Sequence, residues 1–139
     1  LKDAQIVCGF PELYLTEKAD SGNFEIIVHR KSNGLSNKDA IEKTERIVYP
    51  ISVKGNELSL RPYFSFPETD KLRAQQIEVE VKVPPGKKVV LGANIDRIDL
   101  DFDGRHNYED ESFANSTWMV KSRRLVCTDC VLKPRNFWR

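Results

Sequence analysis

The residues of this chain that could do chemistry are few, and the first group is acidic. Asp99-Leu100-Asp101-Phe102-Asp103-Gly104 is followed by Asp110 at the twelfth place counted from Asp99. Oxygen donors at that spacing, with glycine at the sixth place, follow the grammar of an EF-hand calcium loop. Three departures weigh against it. His106 stands at the eighth place, where an apolar residue normally packs. Asp110 replaces the longer bidentate Glu, and Gly92-Ala93-Asn94-Ile95-Asp96 is a poor incoming helix. Ile98, Leu100 and Phe102 also alternate with Asp99, Asp101 and Asp103, the pattern of a half-buried strand with a solvated acidic face. The strand reading is preferred, and no metal ligand is assigned.

Cys127 and Cys130 form a CxxC, without the βαβ surroundings of a redox motif. In an extended strand positions i and i+3 point to opposite faces, so these are expected to be two unrelated, dispensable thiols. A zinc site needs about four ligands, and only Cys8, His29 and His106 remain to help. His29 lies on an expected strand and His106 in an expected loop, and nothing gathers a nucleophile, a base and an orienting acid. The nearest approach to a phosphate loop, Pro84 to Gly92, lacks both the glycines and the following helix. Trp118-Met119 and Phe137-Trp138 suit core or terminal packing better than a binding patch. No catalytic, cofactor-binding or metal residue is assigned, no cofactor or small-molecule substrate is inferred, and a non-enzyme is expected.

The elements that would position these residues are mostly strands. From Gln75 to Val83, Ile77, Val79, Val81 and Val83 share one face and Glu78, Glu80 and Lys82 the other. Pro84-Pro85 ends that ladder for want of backbone N–H, and Gly86 can take the positive φ of the reversal. Strands are also expected over 4–8, 12–16, 23–31, 88–92, 97–103, 117–121 and 124–128. Between Ile51 and Leu60, a two-residue turn at Gly55-Asn56 sets Lys54 against Glu57, Val53 against Leu58 and Ser52 against Ser59. Ser36 reads as a helix cap with Asp39 three residues on, and Ala40, Ile41, Thr44 and Ile47 or Val48 recur at helical spacing. The expectation is an all-β fold of stacked short strands, a solenoid-like sandwich, with one short helix near 37–47 and loops at Pro67 to Asp70 and Gly104 to Asn115.

At 139 residues the chain is read as a single β-rich domain, 1–139, able to bury a core without disulfide or metal. Lys and Arg number 22 against 21 Asp and Glu, interspersed, so no basic field exists to hold a nucleic acid. No run approaches the ~20 apolar residues of a membrane span. The sole Met is Met119 and the chain opens on Leu1, so it is expected to be cut from something longer, with a membrane segment upstream.

A series of short motifs carries a resemblance across most of the chain: Asn33-Gly34-Leu35-Ser36-Asn37-Lys38-Asp39-Ala40, Ile47-Val48-Tyr49, Leu58-Ser59-Leu60-Arg61-Pro62-Tyr63-Phe64, Lys71-Leu72-Arg73-Ala74-Gln75-Gln76-Ile77, Val83-Pro84-Pro85-Gly86-Lys87-Lys88-Val89, and Trp118-Met119 ahead of Leu125-Val126-Cys127. In this order they resemble the C-terminal soluble region of Bacteroidetes proteins that carry a phage-shock-protein C (PspC) domain, whose module is related to toast-rack and adhesin-like β-domains. One departure is Lys121-Ser122-Arg123-Arg124, where the family tends to an acidic turn and Gly, so a differently shaped last hairpin is expected. The resemblance implies a sensor or interaction module of an envelope-stress protein, acting by binding a protein partner. It would be tethered to the inner membrane through the upstream segment, its soluble part periplasmic. The alternative is an adhesin-like or structural extracellular β-domain, ion-dependent or not.

Overall fold

The computed structural model describes residues 4–102 and 105–134, without the side chain of His106. Its centre is a four-stranded sheet in the order β3-β7-β2-β9, formed by β2 (Glu12–Glu17), β3 (Glu25–Lys31), β7 (Gln76–Val83) and β9 (Asp99–Phe102). β2 runs parallel to both β7 and β9, and β3 runs antiparallel to β7. Around it stand three smaller antiparallel sheets. β1 (Gln5–Gly9) pairs with β6 (Tyr63–Pro67), and β4 (Ser52–Lys54) pairs with β5 (Glu57–Ser59). β8 (Lys88–Val90), β10 (Thr117–Lys121) and β11 (Arg124–Cys127) form the third, with β10 in the middle. Among the described residues the sheets are separate and short, no barrel closes, and a single α-helix, α1 (Asn37–Glu45), interrupts them. The expected stacked-strand fold is therefore the observed one.

The alternation in β7 decides which way the central sheet faces. Ile77, Val79, Val81 and Val83 are all buried, together with Leu13 and Leu15 of β2 and Leu100 and Phe102 of β9. Phe64 and Phe66 of β6, Trp118 and Val120 of β10 and Leu125 of β11 close the core from the neighbouring sheets. Trp118 is completely buried, stacked edge-on against Phe102, Tyr108 and Phe113, and its indole N–H donates to Ser116 Oγ at 2.8 Å. It is a core residue, as expected; Phe137-Trp138 lies outside the described residues.

Local grammar explains most boundaries. The Gly55-Asn56 hairpin has the expected register, Lys54 opposite Glu57, with Gly55 at φ 57°. Ser36 caps α1 by accepting the Asp39 N–H at 3.1 Å. The Asp39 carboxylate accepts the Leu35 N–H and both of its oxygens meet Lys43 Nζ at 2.7 Å. That hydrogen-bonded lysine, then the Leu35 N–H, hold Asp39 below its ordinary carboxylate range.

Three expectations need correction. Helical spacing puts Ile41 on the apolar face of the helix, yet it is 58 % exposed; Lys43, neutralised by Asp39, takes the inward place instead. β6 is a strand where none is expected: Phe64 and Phe66 alternate with Tyr63 and Ser65, but Pro62 precedes them, and Pro67, expected to open a loop, is the strand's last residue. Most consequentially, Cys127 and Cys130 are joined in a disulfide, with Cα atoms 5.6 Å apart. Opposite strand faces do not separate them, because β11 ends at Cys127 and the chain bends through Thr128-Asp129 before Cys130.

Candidate functional site

The outward face of the central sheet brings a cluster of carboxylates together. Parallel pairing of Glu12 with both Glu78 and Asp99, and antiparallel pairing of His29 with Glu78, makes one row across four strands: His29, Glu78, Glu12, Asp99. The next row reads Ile27, Glu80, Tyr14, Asp101. Like charges directly opposite on neighbouring strands oppose folding. The cost is visible at Glu12, whose acid is pushed up chiefly by burial, then by Glu78, Asp99 and Asp101, against a lowering pull from Lys31.

The two rows are neutralised unevenly. Glu80 is engaged on both oxygens, by Thr16 Oγ1 and by His29 Nε2, each at 3.2 Å. Lys31 Nζ reaches Glu78 at 3.4 Å. The side-chain partners of these glutamates lie on β3 or on β2 beyond the rows. Asp99 and Asp101 on β9 are exposed, while Leu100 and Phe102 between them are buried. The free edge of β9 is itself guarded, since the Arg105 guanidinium donates to the Leu100 carbonyl at 2.6 Å. Beside this edge a shallow hollow is lined by Phe10, Asp96, Ile98 and Asp99, with Phe10 held at φ 70° and its ring in solvent.

The acidic run expected to be a solvated strand is one. Asp99–Phe102 is extended, and the Asp99 and Asp101 carboxylates stand on the outer face of the sheet. Asp103 and Gly104 lie outside the described residues. Asp110 accepts the Val131 N–H at 3.4 Å, which ties it to the C-terminal segment. His29 sits on the sheet face against Glu80. Among the described residues, the grouping of three metal-type donors is Cys127, Asp129 and Cys130, whose donor atoms fall within 4.8 Å of one another, but both sulfurs are spent in the disulfide.

The C-terminal rim is the second notable region. The Ser122-Arg123 turn between β10 and β11 has both residues at positive φ, 52° and 65°. A two-residue turn with both central residues left-handed is the type I′ geometry normally given to Asn-Gly, and here it is built without glycine. The last hairpin is therefore a tight two-residue turn. After Cys130 the chain turns back along 107–110: Val131 O accepts the Glu109 N–H and Lys133 N–H donates to Asn107 O, both at 2.9 Å.

Sequence reasoning singles out Asp99, Asp101, Glu78 and Glu80 but misses Glu12, the centre of the row. Its signal is the bare alternation Glu12-Leu13-Tyr14-Leu15-Thr16; which strands lie on either side of it cannot be read from that.

Separate short sheets, a parallel centre and a charged outer face define a β-rich module built of stacked slices. A family profile described as the toast-rack found in some PspC proteins matches residues 12–133, and the chain belongs to that family, the toast-rack domain of PspC C-terminal regions. No curated protein and no solved structure matches it. No helix among the described residues is long and apolar enough to cross a membrane.

Proposed function

We propose that this chain is the non-catalytic interaction module of a PspC-type envelope protein, tethered to the inner membrane through a segment preceding it and exposed on the periplasmic side. Membership of the toast-rack family over residues 12–133 is the observation that carries this reading. Two others support it. The Cys127–Cys130 disulfide suits an oxidising compartment. The one described histidine side chain, His29, is hydrogen-bonded to Glu80 on a sheet face, a structural use of the ring.

The surface assigned to the partner is the outer face of the central sheet at its β9 side, where Glu12, Asp99 and Asp101 present negative charge beside the exposed ring of Phe10. Carboxylates next to an aromatic face suit a protein segment bearing Lys or Arg. Asp101 is a sharper probe of this than Glu80, which is held by Thr16 and His29 and is only 19 % exposed. In-cell crosslinking of the full-length protein, of a form lacking this module and of Asp101→Lys tests the proposal. The expected result is loss of specific envelope partners in the truncated form and weakened capture by Asp101→Lys. Identical partners with and without the module would make it a passive structural unit, the adhesin-like alternative.

A further inference from the structure

The structure assigns Cys127–Cys130 as a reversible thiol–disulfide exchange site, opened by a dithiol reductant, whose state decides whether residues 131–133 stay docked on residues 107–110. This inference stands apart from the partner surface proposed above.

Three observations carry it. First, the bridge spans only three positions in sequence and joins the end of β11 to the turn directly after it. It closes a very short loop, so it restricts the unfolded chain little and is poorly placed to act as a staple of the whole fold. Second, the turn lies at the rim: Thr128 and Asp129 are exposed and both cysteines are half-buried, so a thiolate can approach. Third, the segment after the bridge is lightly held. Val131 and Leu132 are 56 % and 65 % exposed, and the segment is held to 107–110 by the Glu109–Val131 and Lys133–Asn107 backbone bonds and by the Asp110 carboxylate. With so little apolar burial, that docking sits at the low end of local stability and leans on the direction the disulfide gives the chain. β11 itself is separately secured, because the Cys127 N–H donates to Tyr108 Oη at 2.9 Å and Thr128 N–H donates to Thr117 O at 2.8 Å.

The exchange balances without any other cofactor. A thiolate of the reductant bonds to Cys130 Sγ, the sulfur beyond the end of the strand. The Cys127–Cys130 bond breaks, and its electron pair leaves on Cys127 Sγ, which takes a proton from water. The reductant's second thiol loses its proton and attacks the mixed disulfide, freeing Cys130, which is protonated, while the reductant departs as its own disulfide. Two electrons and two protons pass to the chain. Asp129 Oδ1 lies 3.2 Å from Cys127 Sγ while accepting the Thr117 N–H at 2.9 Å. A carboxylate there disfavours the leaving thiolate, so Asp129 biases the pair towards the oxidised form.

The test is reduction of the whole chain by dithiothreitol under native conditions, with alkylation and peptide mass spectrometry separating Cys127 and Cys130 from Cys8, and hydrogen exchange on both redox states. The expected result is ready reduction, with the Glu109 and Lys133 amides exchanging about tenfold faster or more while those of β2 and β7 are unchanged. Asp129→Asn, which keeps an oxygen for Thr117 N–H, should be reduced several-fold faster. Resistance to reduction until the chain unfolds would overturn the proposal, as would unchanged exchange at Glu109 and Lys133. Failure of Cys127→Ser/Cys130→Ser to fold would show a structural staple instead. Zinc binding tighter than micromolar by the reduced form, with the segment still docked, would make the pair a metal site and equally overturn it.

Discussion

The central sheet and the C-terminal rim are held by opposite means. In the sheet, β7 lies between β2 and β3 with Ile77, Val79, Val81 and Val83 buried, and its charged face tolerates a row of carboxylates because the apolar face secures the register. At the rim, Val131 and Leu132 are mostly exposed, and position is set by backbone hydrogen bonds and one disulfide. The contrast teaches where charge can be carried at little cost. A strand with four buried branched side chains can hold Glu78 and Glu80 opposite Glu12 and Tyr14, whereas a segment without burial must be tied covalently or by polar contacts.

The largest effect should come from breaking that apolar face. Val79 is wholly buried, so Val79→Lys puts an unpaired ammonium into the core, and the expected cost of about 5 kcal/mol or more would consume most of a domain's stability. Val90→Lys, at a position 66 % exposed on β8, should cost within about 0.5 kcal/mol. Urea denaturation followed by circular dichroism compares them. Comparable losses would mean that burial does not distinguish these two positions as described.

Next in size is the rim. Opening the four-residue disulfide loop releases chain entropy equivalent to about 2 kcal/mol in the unfolded state, so the reduced chain should remain folded with a modestly lower melting temperature. Thermal melts with and without reductant measure it. A collapse comparable to that of Val79→Lys would place the rim on the same footing as the core and erase the contrast.

The same contrast explains how much can be read from sequence. The alternation at Ile77 to Val83 and at Leu100 and Phe102 fixes which face is buried, and the Lys54–Glu57 hairpin checks its own register, because these signals are local. The parallel placement of β2 between β7 and β9 is not local: the partners of Glu12 lie 66 and 87 positions away at Glu78 and Asp99, and alternation is blind to them. The acidic row is therefore half legible, with Glu78, Asp99 and Asp101 in view and their meeting at Glu12 hidden. At Cys127 the error is physical. Strand geometry does not extend past the residue where the strand ends, and the bend at Thr128-Asp129 brings the two sulfurs together. Ile41 and Lys43 show another limit, since helical spacing cannot foresee that Asp39 will neutralise a lysine and let it turn inward.

A smaller effect tests the rim's backbone. Arg123 sits at φ 65° in the β10–β11 turn, where a side chain costs about 1–2 kcal/mol that glycine avoids. Glycine's extra freedom in the unfolded chain takes back part of this, so Arg123→Gly should stabilise by about 0.5–1 kcal/mol. Chemical denaturation reads the change; a loss of stability would mean that the Arg123 side chain makes a compensating contact at the rim.

The smallest effect belongs to the acidic row and has a definite sign. Glu12 has its acid raised above the ordinary 4.5, by burial first and then by Glu78, Asp99 and Asp101. A carboxyl whose folded-state value is raised binds more protons when folded than when unfolded, so its contribution to stability falls as pH rises from about 4.5 through the raised value, and above that window it stays unfavourable. Glu12→Gln removes the charge while keeping the shape. The variant should therefore be slightly more stable than the parent at pH 7, with the advantage shrinking as pH falls and vanishing below the unfolded-state value. Denaturation midpoints of the two proteins across pH 4 to 8 give the comparison directly. An advantage that grew on acidification would mean that Glu12 is held by a cation in the folded state, Lys31 being the one whose charge already pulls its acid down, and the row would then be a paired surface instead of an unbalanced one.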